Sequence, residues 1–392
     1  MSRSFQLGYC TNVHAGPDLQ STKHNLEKYA LDVKRRFSPD APMGVGLWLA
    51  APAASQLLEG SALSDFSNWL AANGLIPFTF NGFPYSDFHQ DVVKLDVYRP
   101  TWWDEHRLQY TKNLAAIQHV LLPDGLEGSI STMPISWGKP GPTDEQWNKS
   151  AEHMQELVEY LHRLESETGR LIYVCIEPEP GCALDTGDDI CRFFDTHLLP
   201  AGDEEKTRRH IRVCHDVCHS GVMFEPQHEV VELYRKAGIR IGKVQVSSAV
   251  WVPFKEIAAE DRVSALKQLS DFNEIKYMHQ TSIRDSDGKT KLYDDLGDAL
   301  ATVENPESLE STWSVHFHVP IFLESFGHLQ STQSQVLECL ECCLSDEHLT
   351  HFEVETYAWN VLPNELQTDD LAEGIAREMT WFQGQLAALQ QS

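Results

Sequence analysis

Residues 152–180 read EHMQELVEYLHRLESETGRLIYVCIEPEP. Met154, Leu157, Val158, Leu161 and Leu164 recur at helical spacing, which makes one apolar stripe. Thr168-Gly169 then interrupts the period, and glycine suits the left-handed position just past a helix. Leu171–Glu177 follows as a short apolar run with the β-branched and aromatic content of a strand. A glycine between a helix and an apolar strand is the short joint of parallel βαβ units. A glutamate ends this run, and Pro178 stops any ladder behind it.

The same joint occurs at Asn73-Gly74 and Ala237-Gly238. Other apolar runs of strand length lie at Phe5–Cys10, Met43–Ala50, Leu75–Phe80, Gly128–Met133, Ile211–Asp216, Ile241–Ser247 and Phe352–Tyr357. Amphipathic stretches, among them Asn25–Phe37 and Asp104–Leu122, fall between them. Eight strands alternating with helices predict an α/β fold, a (β/α)8 TIM barrel, with a doubly wound open sheet as the rival. The chain then reads as one domain over residues 1–392. A ninth run, Trp313–Val319, follows the polar excursion Asp271–Ser311, so 271–320 reads as an insertion between the seventh and eighth barrel strands.

Hydrophobic residues make up 42% of the 392, which is ample for a buried core and excludes a disordered or collagen-like chain. No apolar run approaches the roughly 18 residues of a membrane span, and the first residues lack the apolar stretch of a secretion signal. Basic residues number 31 and acidic residues 58, for a net charge of −27. Such a chain repels nucleic-acid phosphates unless a basic patch intervenes. The densest basic cluster, Lys206, Arg208, Arg209 and Arg212, follows three acids, so no nucleic-acid partner is expected. Nine cysteines without a paired C-x-x-C module fit a reducing, cytoplasmic protein. Cys339, Cys342 and Cys343 read as a buried helix face rather than a metal clip.

In a barrel, functional residues gather where the strands end. The fifth strand ends at Glu177. The sixth ends Asp216-Val217-Cys218-His219, a carboxylate at the strand end and an imidazole one turn later. The seventh offers Gln245 and the eighth Glu355. In the insertion, His316 and His318 share one side of an extended segment. Carboxylates, imidazoles and one amide on a common rim suit a divalent cation of intermediate hardness, Mn, Co or Zn. The metal candidates are therefore Glu177, Asp216, His219, Gln245, His316, His318 and Glu355, with Glu177 and Glu355 as catalytic proton carriers. The third strand runs into Asn81-Gly82-Phe83-Pro84-Tyr85, an aromatic loop suited to wall a pocket. With His14 after the first strand and Trp359 after the eighth, Asn81, Phe83 and Tyr85 are the substrate-side candidates. Arg212, Lys243, His351 and Glu353 share parity with the rim residues but lie deeper. Buried charge must pair there, which predicts an ion-pair layer beneath the site.

These residues resemble the xylose isomerase-like TIM-barrel superfamily, which includes sugar isomerases, ketose 3-epimerases and endonuclease IV. Its succession of Glu, Asp-x-x-His, His or Gln, and Glu is matched by Glu177, Asp216 with His219, Gln245 and Glu355. His316-Phe317-His318 is similar to the Asp-x-His pair of endonuclease IV. A closer resemblance is to the EboE-type metabolite traffic family, carried by Tyr9–His14, Phe78–Tyr85, Gly128–Thr132, Glu177–Pro180, Gly242–Gln245 and Glu353–Tyr357. It implies a protein of a metabolite-handling gene cluster, working beside a membrane prenyltransferase-like partner, and supplies no reaction.

Three functional classes follow. The first is a metal-dependent enzyme on a small polar metabolite, working by isomerase- or epimerase-like proton transfer or by metal-assisted hydrolysis. The second is a non-catalytic metabolite carrier or scaffold. The third, an endonuclease IV-like nuclease, is disfavoured by the −27 charge and the missing basic groove.

Overall fold

Apolar runs bounded by turns become parallel strands in the computed structural model, which describes residues 5–14, 16–87, 89, 93–356, 359, 362–363, 366–367 and 370–391. β1 (Gln6–Tyr9), β2 (Met43–Trp48), β3 (Leu75–Asn81), β4 (Gly128–Thr132), β5 (Ile172–Ile176), β6 (Ile211–Asp216) and β7 (Ile241–Val246) come first. β8 (Val250–Pro253), β9 (Thr281–Arg284), β10 (Thr290–Tyr293), β11 (Thr312–Val315), β12 (Ser325–Phe326) and β13 (Leu329–Ser331) form a second sheet, and β14 (His351–Val354) completes the first. Around the first sheet the order is β1-β14-β7-β6-β5-β4-β3-β2, and a parallel bridge between Cys10 and Gly46 joins its two ends. The fold is an α/β TIM barrel. The Tyr357 end of the eighth expected strand lies outside the described residues.

The helix Asp144–Thr168 starts well before the apolar stripe because Thr143 and Gln146 form a reciprocal capping box. It buries Met154, Leu157, Val158 and Leu161, each worth roughly 1.5–3 kcal/mol when fully removed from water. It stops at Gly169, whose φ of 73° is the left-handed conformation expected there. Gly74 and Gly238, at φ 64° and 67°, do the same for the strands they precede. Among the described residues no helix is long and apolar enough to cross a membrane. Cys339 and Cys343 are buried, with Cys342 at the edge of that face.

The deeper polar layer is present, though not all as charge pairs. Lys243 and Glu353 form an ion pair with both side chains 0% exposed. Asn81 Nδ2 donates to Glu353 Oε1 at 2.8 Å. Arg212 pairs at long range with Glu127, Nη1 to Oε2 at 3.8 Å, and lays its guanidinium over the Tyr173 ring, 3.5 Å from the centroid. His351 Nδ1 meets Ser129 Oγ at 2.9 Å.

The second sheet is antiparallel, in the order β10-β9-β11-β8-β13-β12, and its strands span Val250 to Ser331. The run expected to be a strand over Trp313–Val319 leaves the ladder after Val315. The His316 N–H then bonds to Gln280 O at 2.9 Å and the Val319 N–H to Ser248 O at 3.0 Å. These bonds lay residues 316–319 across the barrel mouth formed by the strand C-termini.

Candidate metal centre

Four strand ends deliver the inner residues. β5 stops at Ile176, but the Glu177 N–H still bonds to Thr132 O at 3.0 Å, so the ladder fixes its position before Pro178 ends it. Asp216 closes β6 and caps the short helix Val217–Val222. Its Oδ1 accepts from the His219 N–H and from Ser247 Oγ, both at 2.8 Å. The Asp-x-x-His spacing therefore has a capping role. Asp216 Oδ2, however, has no hydrogen-bond partner among the described residues although the residue is 2% exposed. Gln245 on β7 donates from Nε2 to Asn81 Oδ1 at 2.9 Å, and its Oε1 likewise has no partner. Glu355 follows β14 with its N–H on Val246 O at 3.1 Å, and its Oε1 accepts from Asn12 Nδ2 at 2.5 Å.

Carboxylate oxygens of Glu177, Asp216 and Glu355 lie within 4.8 Å of one another, and all three residues are buried. Bare acceptors inside a carboxylate cluster are costly unless a proton or cation meets them. Burial, then repulsion from Glu355 and Asp216, pushes the Glu177 carboxyl well above the usual range. Burial, then Asp216 and Glu353, pushes Glu355 up to about 8. Burial alone would raise Asp216 too, but His219, His318 and its capping hydrogen bonds hold it below its ordinary value. An oxygen-rich set with two unsatisfied acceptors fits a divalent cation.

Three imidazoles stand beside this triangle. His219 Nδ1 faces Pro178 O at 2.8 Å, His318 Nδ1 faces Glu355 O at 2.6 Å, and His316 Nδ1 faces Gln280 Oε1 at 2.8 Å. A carbonyl oxygen only accepts, so each Nδ1 carries the hydrogen and each neutral ring has its lone pair at Nε2. That is how metal-binding histidines are commonly oriented. Burial keeps His316 well below its ordinary pKa, and it brings His318 down to about 4, so both stay neutral at pH 7. Asp216, His219 and His318 form one group with ligand atoms within 4.8 Å, and Glu179, His219 and His316 form another.

Glu177, His219, His316, His318 and Glu355 line one mouth cavity of about 630 Å³, measured to its open end. Asp216 completes two ligand groups with them, and Gln245 adjoins through Asn81. Asn81 and Phe83 also line the cavity. The Asn81 amide, though, is engaged with Glu353, Gln245 and Ser131, so it orients its neighbours. Three candidates need correction, because none of them lines this cavity. His14 turns inward to meet the Tyr9 hydroxyl at 3.1 Å and stack on Tyr29 at 4.6 Å. Tyr85 packs edge-on against Tyr110 at 5.0 Å. Trp359 is buried against Gly374 of the helix Leu371–Gln391.

Sequence reasoning also missed lining residues. Glu179, 6% exposed, accepts from the Tyr98 hydroxyl at 2.7 Å, and Gln280 Nε2 donates to that hydroxyl at 3.0 Å. Its two-residue spacing from Glu177 was the available signal. Asn12, just past β1, lines the cavity from within the Tyr9–His14 block, where nothing in the sequence separates it from its neighbours. Tyr98 and Gln280 carried no signal at all.

No protein-family model matches the chain, and no curated protein matches it. Solved structures match it through the fold. A xylose isomerase-like TIM-barrel protein from Mycobacterium smegmatis, solved in complex with magnesium, is 11% identical over 100% of both chains with a TM-score of 0.54. A xylose isomerase domain protein from Planctomyces limnophilus is 13% identical over 100% of both chains with a TM-score of 0.51. These likenesses show the fold, an α/β TIM barrel similar to that of the two solved proteins.

Proposed function

We propose that this xylose isomerase-like barrel is a divalent-metal-dependent enzyme that moves a proton on a metabolite bearing hydroxyl or carbonyl oxygens. Metal-assisted hydrolysis is the other chemistry the same residues would serve. The observation that carries the reading is the buried triangle of Glu177, Asp216 and Glu355 beside the unsatisfied Asp216 Oδ2 and Gln245 Oε1. Glu177, Asp216, Gln245 and Glu355 would hold the ion through oxygen donors, and the imidazole nitrogens of His219 and His318 beside Asp216 make the site as a whole suit Mn, Co or Zn. His219, His316 and His318 would hold a second ion or contact the substrate.

When bound, the ion supplies Lewis acidity to a substrate oxygen. The chain's own residues do the rest. Glu177 and Glu355 carry the proton, since burial and neighbouring carboxylates raise both carboxyls above their ordinary range, Glu355 to about 8. Asn12 orients Glu355 through its 2.5 Å hydrogen bond. The Pro178 carbonyl fixes the His219 ring so that Nε2 faces away from it. The EboE-type resemblance adds the finer part of the proposal, a metabolite-handling role beside a membrane prenyltransferase-like partner.

The test is elemental analysis of protein purified without chelator or affinity metal, followed by titration with Mn²⁺ and Zn²⁺. We expect about one equivalent or more of tightly held ion, lost in Asp216→Asn with an unchanged circular dichroism spectrum. A chain that carries no transition metal and takes up neither ion would overturn the proposal.

A further inference from the structure

The mouth cavity changes character with height. Its floor is made of strand-end carboxylates, amides and imidazoles. The apolar side chains Phe83, Pro84, Val93, Val97, Tyr277 and Met278 all come from the loop after β3 or from the insertion, beyond the strand ends. The two walls are joined, with the Val93 N–H on Lys276 O at 2.9 Å and Lys94 paired to Asp295 at 2.5 Å. Phe83 packs on Tyr98 with ring centroids 5.8 Å apart.

This arrangement discriminates between ligand classes. A bare polyol finds partners at the floor, but its upper hydroxyls would face apolar walls, and stranded hydroxyls weaken binding. A phosphate would need a cation in the upper wall, and the charge of Lys94 is already neutralised by Asp295. Aromatic edges and a thioether favour a flat ring.

We infer that the ligand is an aromatic metabolite with an oxygen-bearing head, the head at Glu177 and Glu355 and the ring held by Val97, Tyr277 and Met278. The inference rests on the metal-centre reading and adds the substrate class. Acetohydroxamate and benzohydroxamate test it, since they share one metal-binding head and differ in the ring. On the Mn²⁺-loaded full chain, calorimetry should show benzohydroxamate binding roughly tenfold tighter or more, as burial of a ring face predicts. Val97 and Met278 are partly exposed, so a Val97→Asn, Met278→Gln double variant should keep its metal and its fold while that ratio falls below about threefold. Equal affinities for the two probes on metal-loaded protein overturn the aromatic class and leave the metal centre standing. A preference that survives the double substitution overturns it too, because the wall does not carry it. A chain that binds no metal overturns the proposed function and this inference together.

Discussion

Replacing Glu353 by Gln should expose what holds the barrel interior together. Lys243 and Glu353 are both 0% exposed, and Glu353 is the carboxylate that meets the ammonium. The next acceptor, Asn81 Oδ1 at 3.4 Å, already takes hydrogen bonds from Gln245 and Ser131. Burial alone pulls the Lys243 ammonium down, but the Glu353 carboxylate outweighs it and holds the group above its ordinary value. Glu353→Gln therefore leaves a buried charge without a counter-charge, which costs about 3–5 kcal/mol. An unfolding entropy of about 2.1 cal/mol/K per residue over 392 residues gives about 0.8 kcal/mol/K, so Tm should fall by about 4–6 °C.

The sign of the pH dependence is a second readout of the same change. In the variant the folded-state pKa of Lys243 drops below its unfolded value near 10.4. The unfolded chain then binds more protons, so the variant gains stability relative to the parent as pH rises from about 7 to 10. Lys243→Met combined with Glu353→Gln removes both charges of the pair and should recover most of the loss. Thermal melts of the parent, single and double variants across that range decide the matter. A single variant within about 1 °C of the parent at neutral pH, or a deficit that does not narrow with pH, would refute the reasoning.

Gly46→Ala would set a Cβ 1.4 Å from Glu353 Oε1, so it should destabilise by about 1–3 kcal/mol or more in a denaturant titration, and a neutral outcome would mean that Glu353 points elsewhere. Glu355 is pushed up to about 8, so in metal-free protein the folded state holds its proton longer than the unfolded state does. Stability from this group is complete below about pH 4.3 and lost as pH rises through about 8, so Glu355→Gln should gain on the parent over that window in paired melts. Mn²⁺ affinity should rise with pH over the same window, because binding displaces the proton, and a flat profile would count against Glu355 as a ligand. A His316→Ala, His318→Ala double variant should lose metal or hydroxamate affinity with an intact circular dichroism spectrum, and unchanged binding of both would return these rings to a structural role.

The barrel was legible because its strands are buried on both faces. Every residue of Ile172–Ile176 is buried, and such a strand reads as a continuous apolar run without any knowledge of its partners. The left-handed glycines at 74, 169 and 238 are equally local, since φ depends on nothing beyond the joint itself. The second sheet carries neither signal. β10 is Thr-Lys-Leu-Tyr with its first two residues exposed, and β9 is Thr-Ser-Ile-Arg. Their identity as strands comes from pairing such as Thr312 with Arg284, which a short polar sequence does not announce. That is why the insertion read as a polar excursion with one strand.

Legibility of the site follows how far the backbone ladder reaches. Glu177 and Glu355 are the first residues past their strands, and each still donates its N–H to a neighbouring strand, on Thr132 O and Val246 O. Their direction is set by barrel geometry, so strand parity was enough to place them. Tyr85 lies four residues beyond Asn81, the last residue of β3. By that point the loop rather than the ladder sets direction, and the ring packs on Tyr110 instead of the cavity. His14 turns inward in the same way, one residue after the short turn Thr11–Val13. The residues missed altogether have the opposite origin. Gln280 reaches Tyr98 and Glu179 across 182 and 101 positions, so their convergence is a property of the closed fold and of no sequence window. His316 and His318 sit between these cases. Their two-residue spacing gave them a common side, but only the departure of the chain from β11 after Val315 brings that side over the mouth. The carboxylate floor proposed to hold the ion is thus written into strand ends, whereas the walls that would select a substrate are assembled from loops that become neighbours only on folding.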